Sequence, residues 1–166
     1  MTPKQPAYQN SRFHVYSTET DGLCIHEKQP EYCTVVALRN EQLVVVRQYR
    51  EAVQGLTHEL PGGRMEGAED RESAARRELL EETGLVCGEL IPLGTIHSHA
   101  CLINRVVHLF FTREILSEQV QHLDDDEDID VLTVPLSDAF ARIADGTWTD
   151  SELLSALLLA RLHNHL

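Results

Sequence analysis

The stretch Gly62-Gly63-Arg64-Met65-Glu66-Gly67-Ala68-Glu69 runs into Asp70 to Thr83, which contains Arg77-Glu78-Leu79-Leu80-Glu81-Glu82 and is followed by Gly84-Leu85. Its reading decides the rest of the chain. Asp70 suits an N-cap, because a short acidic side chain accepts from a first-turn N–H, and Gly84 stands where a left-handed residue ends a helix. Ala74, Ala75, Leu79 and Leu80 recur at helical spacing, so 70–83 is predicted as a helix. Glu78 and Glu82 then lie one turn apart and Glu81 beside them, with neighbouring Cβ atoms about 5–6 Å apart. Like charges so placed repel, and the last turn of a helix, with its negative dipole end, disfavours them further. Either the glutamates form a solvated acidic face offset by Arg76 and Arg77, or they ligate hard divalent cations that turn the repulsion into attraction.

Outward from this helix, short apolar and aromatic runs at 12–17, 23–27, 32–38, 42–49, 90–97, 105–112 and 129–134 are predicted as strands. The turn signals Thr20-Asp21-Gly22 and Arg39-Asn40-Glu41 separate some of them. Leu43-Val-Val-Val46 is too continuous for a half-exposed strand and belongs in the middle of a sheet, whereas Pro92 belongs near an edge or bend. Two further helices are predicted, 138–145 behind Ser137 and 151–163 behind Asp150, the latter apolar on most sides and therefore largely buried. Strands and helices do not alternate regularly, which implies a mixed sheet covered by a few helices. Residues 1–11 read as a flexible arm and 12–166 as a single domain.

The 166 residues suit one domain, and 42% hydrophobic with 25% charged residues excludes a disordered chain. Lys plus Arg is 14 against 27 for Asp plus Glu, a net charge of −13 that disfavours nucleic acid as a partner but leaves a metal-bridged phosphate substrate open. Cys24, Cys33, Cys87 and Cys101 are too scattered for a zinc site and read as ordinary thiols. No apolar run approaches the roughly 20 residues of a membrane span, and Met1 to Pro6 lacks the apolar core of a secretory signal, so a cytoplasmic location without membrane contact is expected. Asp124-Asp-Asp-Glu127-Asp-Ile-Asp130 is an acidic run; counted from Asp124 as an EF-hand it places Ile129 where Gly is needed and Pro135 where Glu is needed, which rules that loop out.

From Gly63 to Leu85 the sequence resembles the Nudix box, G-x5-E-x7-R-E-U-x-E-E-x-G-U with U apolar, and satisfies its nine specified positions across 23 residues. With Val45-Val46-Arg47-Gln48-Tyr49-Arg50, Glu59-Leu60-Pro61-Gly62-Gly63, the late acidic loop and a closing apolar helix, it is similar to the ADP-ribose and nucleoside-diphosphate-sugar pyrophosphatase branch of Nudix hydrolases.

The resemblance implies an α/β/α sandwich with a mixed sheet and a homodimer to which N-terminal strands within 12–38 contribute. It implies Mg²⁺-dependent hydrolysis, with Mn²⁺ as a substitute, of the pyrophosphate bond of a nucleoside diphosphate sugar. Hydrolysis of damaged nucleoside triphosphates and a non-catalytic nucleotide-binding module are the alternatives. By resemblance Glu78 and Glu82 are the main metal ligands, Glu81 supports them and the carbonyl of Gly62 adds an oxygen. Arg77 orients the glutamates, Glu69 contacts the loop or an outer metal, and Arg50 and Gly63 meet the substrate. Glu127, with Asp125 as fallback, activates water or completes a metal site. Where ADP-ribose specialists carry a proline in the loop beyond the box, this chain reads His99-Ala100-Cys101-Leu102, so the sequence assigns neither sugar nor base.

Overall fold

The computed structural model describes residues 5–19, 22–123 and 127–166; the turn expected at Thr20-Asp21 and the acids Asp124 to Asp126 lie outside them. A small antiparallel sheet comes first, β1 (Tyr8–Gln9), β2 (Phe13–Ser17) and β3 (Leu23–Glu27). The main sheet contains β4 (Glu31–Arg39), β5 (Gln42–Arg50), β6 (Gly55–Glu59) and β7 (Gly62–Arg64). After α1 (Arg71–Thr83) and β8 (Leu85–Cys87), it is completed by β9 (Ile91–Ile96), β10 (Val106–Thr112) and, beyond β11 (Ile115–Glu118), β12 (Ile129–Pro135). The helices α2 (Leu136–Ala144) and α3 (Ser151–Leu162) follow. The order is β12-β5-β4-β10-β9, with β6 on β5 and β7 on β4, while β8 and β11 pair separately. β4 and β10 run parallel and the neighbouring pairs antiparallel, so the sheet is mixed as the sequence predicts.

Side chains alternate across a strand, and here both faces are covered. Val36 and Leu38 of β4, Leu43 and Val45 of β5, and Val107, Leu109 and Phe111 of β10 join one core with Ala139 of α2 and Leu153, Ala156, Leu157 and Ala160 of α3. Cys33, Val35 and Ala37, with Val44 and Phe110, form a second core against Ala74, Ala75 and Leu79 of α1. This two-sided burial is why Leu43 to Val46 reads as unbroken apolar sequence, and it gives the expected α/β/α arrangement. β9 is an edge strand, and its register with β10 shifts between Gly94 and Pro92, in keeping with the place expected for this proline.

Four readings change. Tyr8 and Gln9, assigned to the loose arm, pair with Val15 and His14 as a short strand. α2 begins at Leu136 rather than behind Ser137, because Pro135 at the cap position (φ −53°) needs no N–H partner and starts the chain into the helix. Its inner face is Leu136, Phe140 and Ile143. α3 buries one stripe at Leu153, Ala156, Leu157 and Ala160, and leaves Leu158 57% and Leu162 65% exposed, so its leucine content overstated its burial. β6, β7, β8 and β11 were not foreseen: they are short and poor in alternating apolar residues, and pairing partners rather than local pattern make them strands.

The one-stripe packing of α3 has a direct test by urea unfolding. Leu157→Ala is expected to cost about 2–5 kcal/mol and Leu158→Ala less than about 0.5 kcal/mol; similar losses from both would contradict the packing described.

Candidate active site

The site starts from how α1 is held. Asp70 caps it, accepting the Ser73 N–H at 2.9 Å, and Gly84 ends it at φ +72° with its N–H on the Leu80 carbonyl at 2.7 Å. Ala74, Ala75 and Leu79 anchor the helix in the core. That rotation turns Glu78 and Glu82 toward β7 and buries both, at 8% and 3% exposure.

Two glycines make the approach feasible. A Cβ on Gly62 would lie 2.2 Å from the Cys33 carbonyl oxygen of β4, and one on Gly63 would lie 2.6–2.7 Å from the carboxylate atoms of Glu78. Any side chain at Gly63 would therefore occupy the space the Glu78 carboxylate fills. The Gly62 N–H donates to Glu82 Oε2 at 2.8 Å.

Arg77 ties the acids together. Its Nε and Nη2 donate to Glu69 at 3.2 and 2.8 Å, Nη1 to Glu78 Oε1 at 2.9 Å and Glu81 Oε2 at 2.8 Å, and Nη2 also to the Arg64 carbonyl at 3.0 Å. These contacts use all the N–H groups a guanidinium has. The Glu69 bonds foremost, with the charges and bonds of Glu78 and Glu81, raise the Arg77 pKa and keep it cationic.

Even so, the pKa of each carboxyl of the pair is raised. Burial pushes Glu78 up to about 7 against the opposing pull of Arg77, with Glu81 and Glu127 adding repulsion. Burial also pushes Glu82 well above the ordinary carboxylate range; the Gly62 N–H opposes this, and Glu78, Glu127 and Glu59 reinforce it. Among the described residues, no protein donor reaches Glu78 Oε2 or Glu82 Oε1.

Crowded, buried carboxylate oxygens of this kind suit a hard divalent cation, so the donor set fits such an ion. Among the described residues no three His, Cys, Asp or Glu side chains converge into a closed cage.

These residues open into a cavity of about 950 Å³. Glu127 and Asp128 line it near the glutamate pair, whereas Asp125 falls outside the described residues. Arg50 also lines it, but its fork is engaged by Glu59, Nε to Oε1 at 2.8 Å and Nη2 to Oε2 at 2.5 Å, with Thr57 and Gln48 bonded to the same carboxylate. Burial would raise Glu59, but Arg50 and Thr57 outweigh it and hold the carboxyl below its usual range.

The structure thus brings together Gly62, Gly63, Arg77, Glu78, Glu81, Glu82, Arg50 and Glu127 around one space, while Glu69 braces Arg77 without lining it. It adds groups the sequence did not single out. Asp150 and Glu152, at the start of α3, line the same cavity, and burial raises both carboxyls. Asp150 was legible only as the cap it also is, accepting the Leu153 N–H at 2.7 Å. Arg12, Tyr32 and Arg105 form a further wall; they come from distant parts of the chain and carry no local signature.

The NUDIX domain family matches residues 28–157 of this chain. The chain is 29% identical over 137 residues to the ADP-ribose pyrophosphatase of Bacillus subtilis, covering 81% of this chain and 74% of that protein. It is 30% identical over 163 residues to the GDP-mannose pyrophosphatase of Citrobacter koseri, covering 89% and 83%. A crystal structure of an ADP compounds hydrolase superposes with a TM-score of 0.77 at 18% identity, covering 94% of this chain and 88% of that one, which shows the shared fold. With the complete glutamate motif set in that fold, the chain belongs to the Nudix family of hydrolases.

Proposed function

We propose that this protein hydrolyses the pyrophosphate bond of nucleoside diphosphate sugars to a nucleoside monophosphate and a sugar phosphate. The observation that carries the reading is the buried Glu78–Glu82 pair facing a cavity large enough for a nucleotide. Relatives that act on ADP-ribose and GDP-mannose support the substrate class. Nudix hydrolases use divalent metals, and all-oxygen donors favour Mg²⁺, with Mn²⁺ as a substitute.

In this reading Glu78, Glu82 and the carbonyl of Gly62 would hold the metal, with Glu81 in support. Bound there, the cation would neutralise phosphate oxygens and lower the pKa of a coordinated water. Arg77 positions Glu78 and Glu81, and through Glu69 it fixes the loop before the helix. Gly63 leaves the space that the Glu78 carboxylate fills beside the substrate, and Arg50 faces the substrate while braced by Glu59. Glu127 accepts a proton as water attacks one phosphorus; the bond from that phosphorus to the bridging oxygen breaks, and the second phosphate leaves with the electron pair.

The reading includes a homodimer through the N-terminal strands within 12–38, supported by the exposure of Leu23 on that small sheet. It also includes a cytoplasmic location, supported by the free thiols Cys24, Cys33, Cys87 and Cys101.

A panel of nucleoside diphosphate sugars, ADP-ribose and nucleoside triphosphates, assayed for phosphate released by added phosphatase, tests the assignment: sugar nucleotides are expected to be preferred, with no turnover in excess chelator. Preference for triphosphates would contradict it. Glu82→Gln should lower kcat by several orders of magnitude, while near-normal turnover would show the metal site to be elsewhere.

Gly63→Ala places a methyl on the Glu78 carboxylate and is expected to weaken Mn²⁺ binding, followed by electron spin resonance, by about 10-fold or more, as loss of support around metal ligands does. Glu127→Gln should lower kcat by about 10²-fold with KM little changed, as loss of a general base does. A change in kcat under about threefold would place the base on another residue.

A further inference from the structure

A second charged cluster stands in the wall of the cavity, assembled from Arg12 ahead of β2, Glu27 at the end of β3, Tyr32 in β4 and Arg105 just before β10. At its centre is Glu27, whose side chain is wholly buried. Its Oε1 accepts from Arg12 Nε at 2.8 Å and from the Tyr32 hydroxyl at 2.6 Å, and its Oε2 from Arg105 Nε at 3.3 Å. Arg12 Nη2 also donates to the Tyr32 oxygen. The backbone of Glu27 is clamped as well: its N–H donates to Asn104 Oδ1 at 2.8 Å and its carbonyl accepts from Asn104 Nδ2 at 3.1 Å. Burial would raise the carboxyl, but the Tyr32 and Arg12 bonds and the Arg105 charge outweigh it and hold Glu27 as an anion.

Burying a carboxylate such as Glu27 is costly before its contacts offset it, and well-packed apolar residues of similar size often serve stability equally well. What this cluster produces that an apolar one would not is the presentation of Arg105. The guanidinium lies 4.1 Å over the Tyr32 ring, and Glu27 engages its Nε. Its Nη1 and Nη2 donate to no group among the described residues, although Arg105 lines the cavity. Glu27 itself does not line the cavity, so it acts only through the groups it holds.

Register places this wall relative to the glutamate helix. On β4, Thr34 pairs with Gly62 and Tyr32 with Arg64, so Tyr32 lies two residues, about 7 Å, along the strand from the position opposite Gly62. That offset suits the nucleoside of a substrate whose phosphates meet the glutamates. A planar, stacked guanidinium with free terminal N–H groups can pair with ring acceptors of a purine and offers a cationic face to its π system.

We propose that Glu27 is a positioning residue for nucleotide binding: it fixes Arg105 against Tyr32 so that the arginine receives the nucleoside half of the substrate. This inference rests on the nucleoside-diphosphate-sugar reading of the same cavity, but its test needs no turnover. AMP and GMP binding is measured by calorimetry on the full-length protein, with ribose 5-phosphate as the control for the other half of the substrate. Glu27→Gln is expected to raise the Kd of at least one nucleotide by about tenfold or more, the scale of a lost charged hydrogen bond, and to leave ribose 5-phosphate within about twofold. Arg105→Met should give the same loss, and the double variant should bind no more weakly than Arg105→Met alone. A purely structural Glu27 would lower the melting temperature and leave nucleotide Kd unchanged in the folded variant.

Unchanged nucleotide binding, independent and multiplying effects, or equal weakening of ribose 5-phosphate would each overturn the proposal. Should Glu27→Gln not fold, Glu27→Asp retains the buried charge with a shorter reach, and the same gain in nucleotide Kd is expected; unchanged binding there overturns the proposal equally. Selective nucleotide binding without hydrolysis of any sugar nucleotide would overturn the proposed function and leave this wall standing, whereas hydrolysis with no effect of either Glu27 variant would do the reverse.

Discussion

Two like charges one helical turn apart, Glu78 and Glu82, are buried against a pair of glycines, and the surrounding structure is organised around that arrangement. Burial and mutual repulsion both disfavour it. The helix tolerates it because Ala74, Ala75 and Leu79 fix its rotation in the core while Asp70 and Gly84 fix its ends. Arg77 spreads one positive charge over Glu69, Glu78 and Glu81, and the Gly62 N–H supports Glu82. Among the described residues these contacts leave an oxygen on each carboxylate of the pair without a protein donor, and in the proposed reading a cation would supply the compensation.

The cavity as a whole repeats this division of charge. Carboxylates gather at α1 and at the start of α3, and three of the arginines lining the cavity are engaged by acids: Arg77 by the glutamates, Arg50 by Glu59 and Arg12 by Glu27. At Arg105 a buried acid holds one nitrogen, and among the described residues no group takes the terminal ones. A chain with a net charge of −13 thereby keeps a local cationic edge facing an acidic floor. A metal-bridged diphosphate carrying a nucleoside complements both.

The glutamate helix was legible because its physical demands are local: spacing sets the shared face, and Asp70 and Gly84 mark its ends. The central strands were legible for the related reason that burial on both faces forces apolar residues at successive positions, as in Leu43 to Val46. β7 was not, since Gly62 and Gly63 are selected by the nearness of Cys33 and Glu78, a tertiary constraint without periodicity. Leu158 and Leu162 misled because composition does not say which side of α3 meets the sheet. The Glu27 cluster was invisible, as its members meet only once the small N-terminal sheet packs beside β10. The motif suggested Arg77 as the group that orients the glutamates and placed Glu69 against the loop or an outer metal; that Arg77 itself holds Glu69, and that every guanidinium donor is used, emerges only from the folded loop.

The central claim is that the Glu78–Glu82 pair is a cost to the folded protein until a cation occupies it. The most direct measurement is unfolding stability of wild type and Glu82→Gln near pH 8, in chelator and again in saturating Mn²⁺. Glutamine can still accept the Gly62 N–H while removing one buried charge. In chelator the variant should be the more stable protein; in Mn²⁺ the order should reverse, because an ion that binds only the folded wild type stabilises it by RT ln(1 + [L]/Kd). A variant that is less stable than wild type in chelator, with no gain of wild type on adding Mn²⁺, would contradict the account.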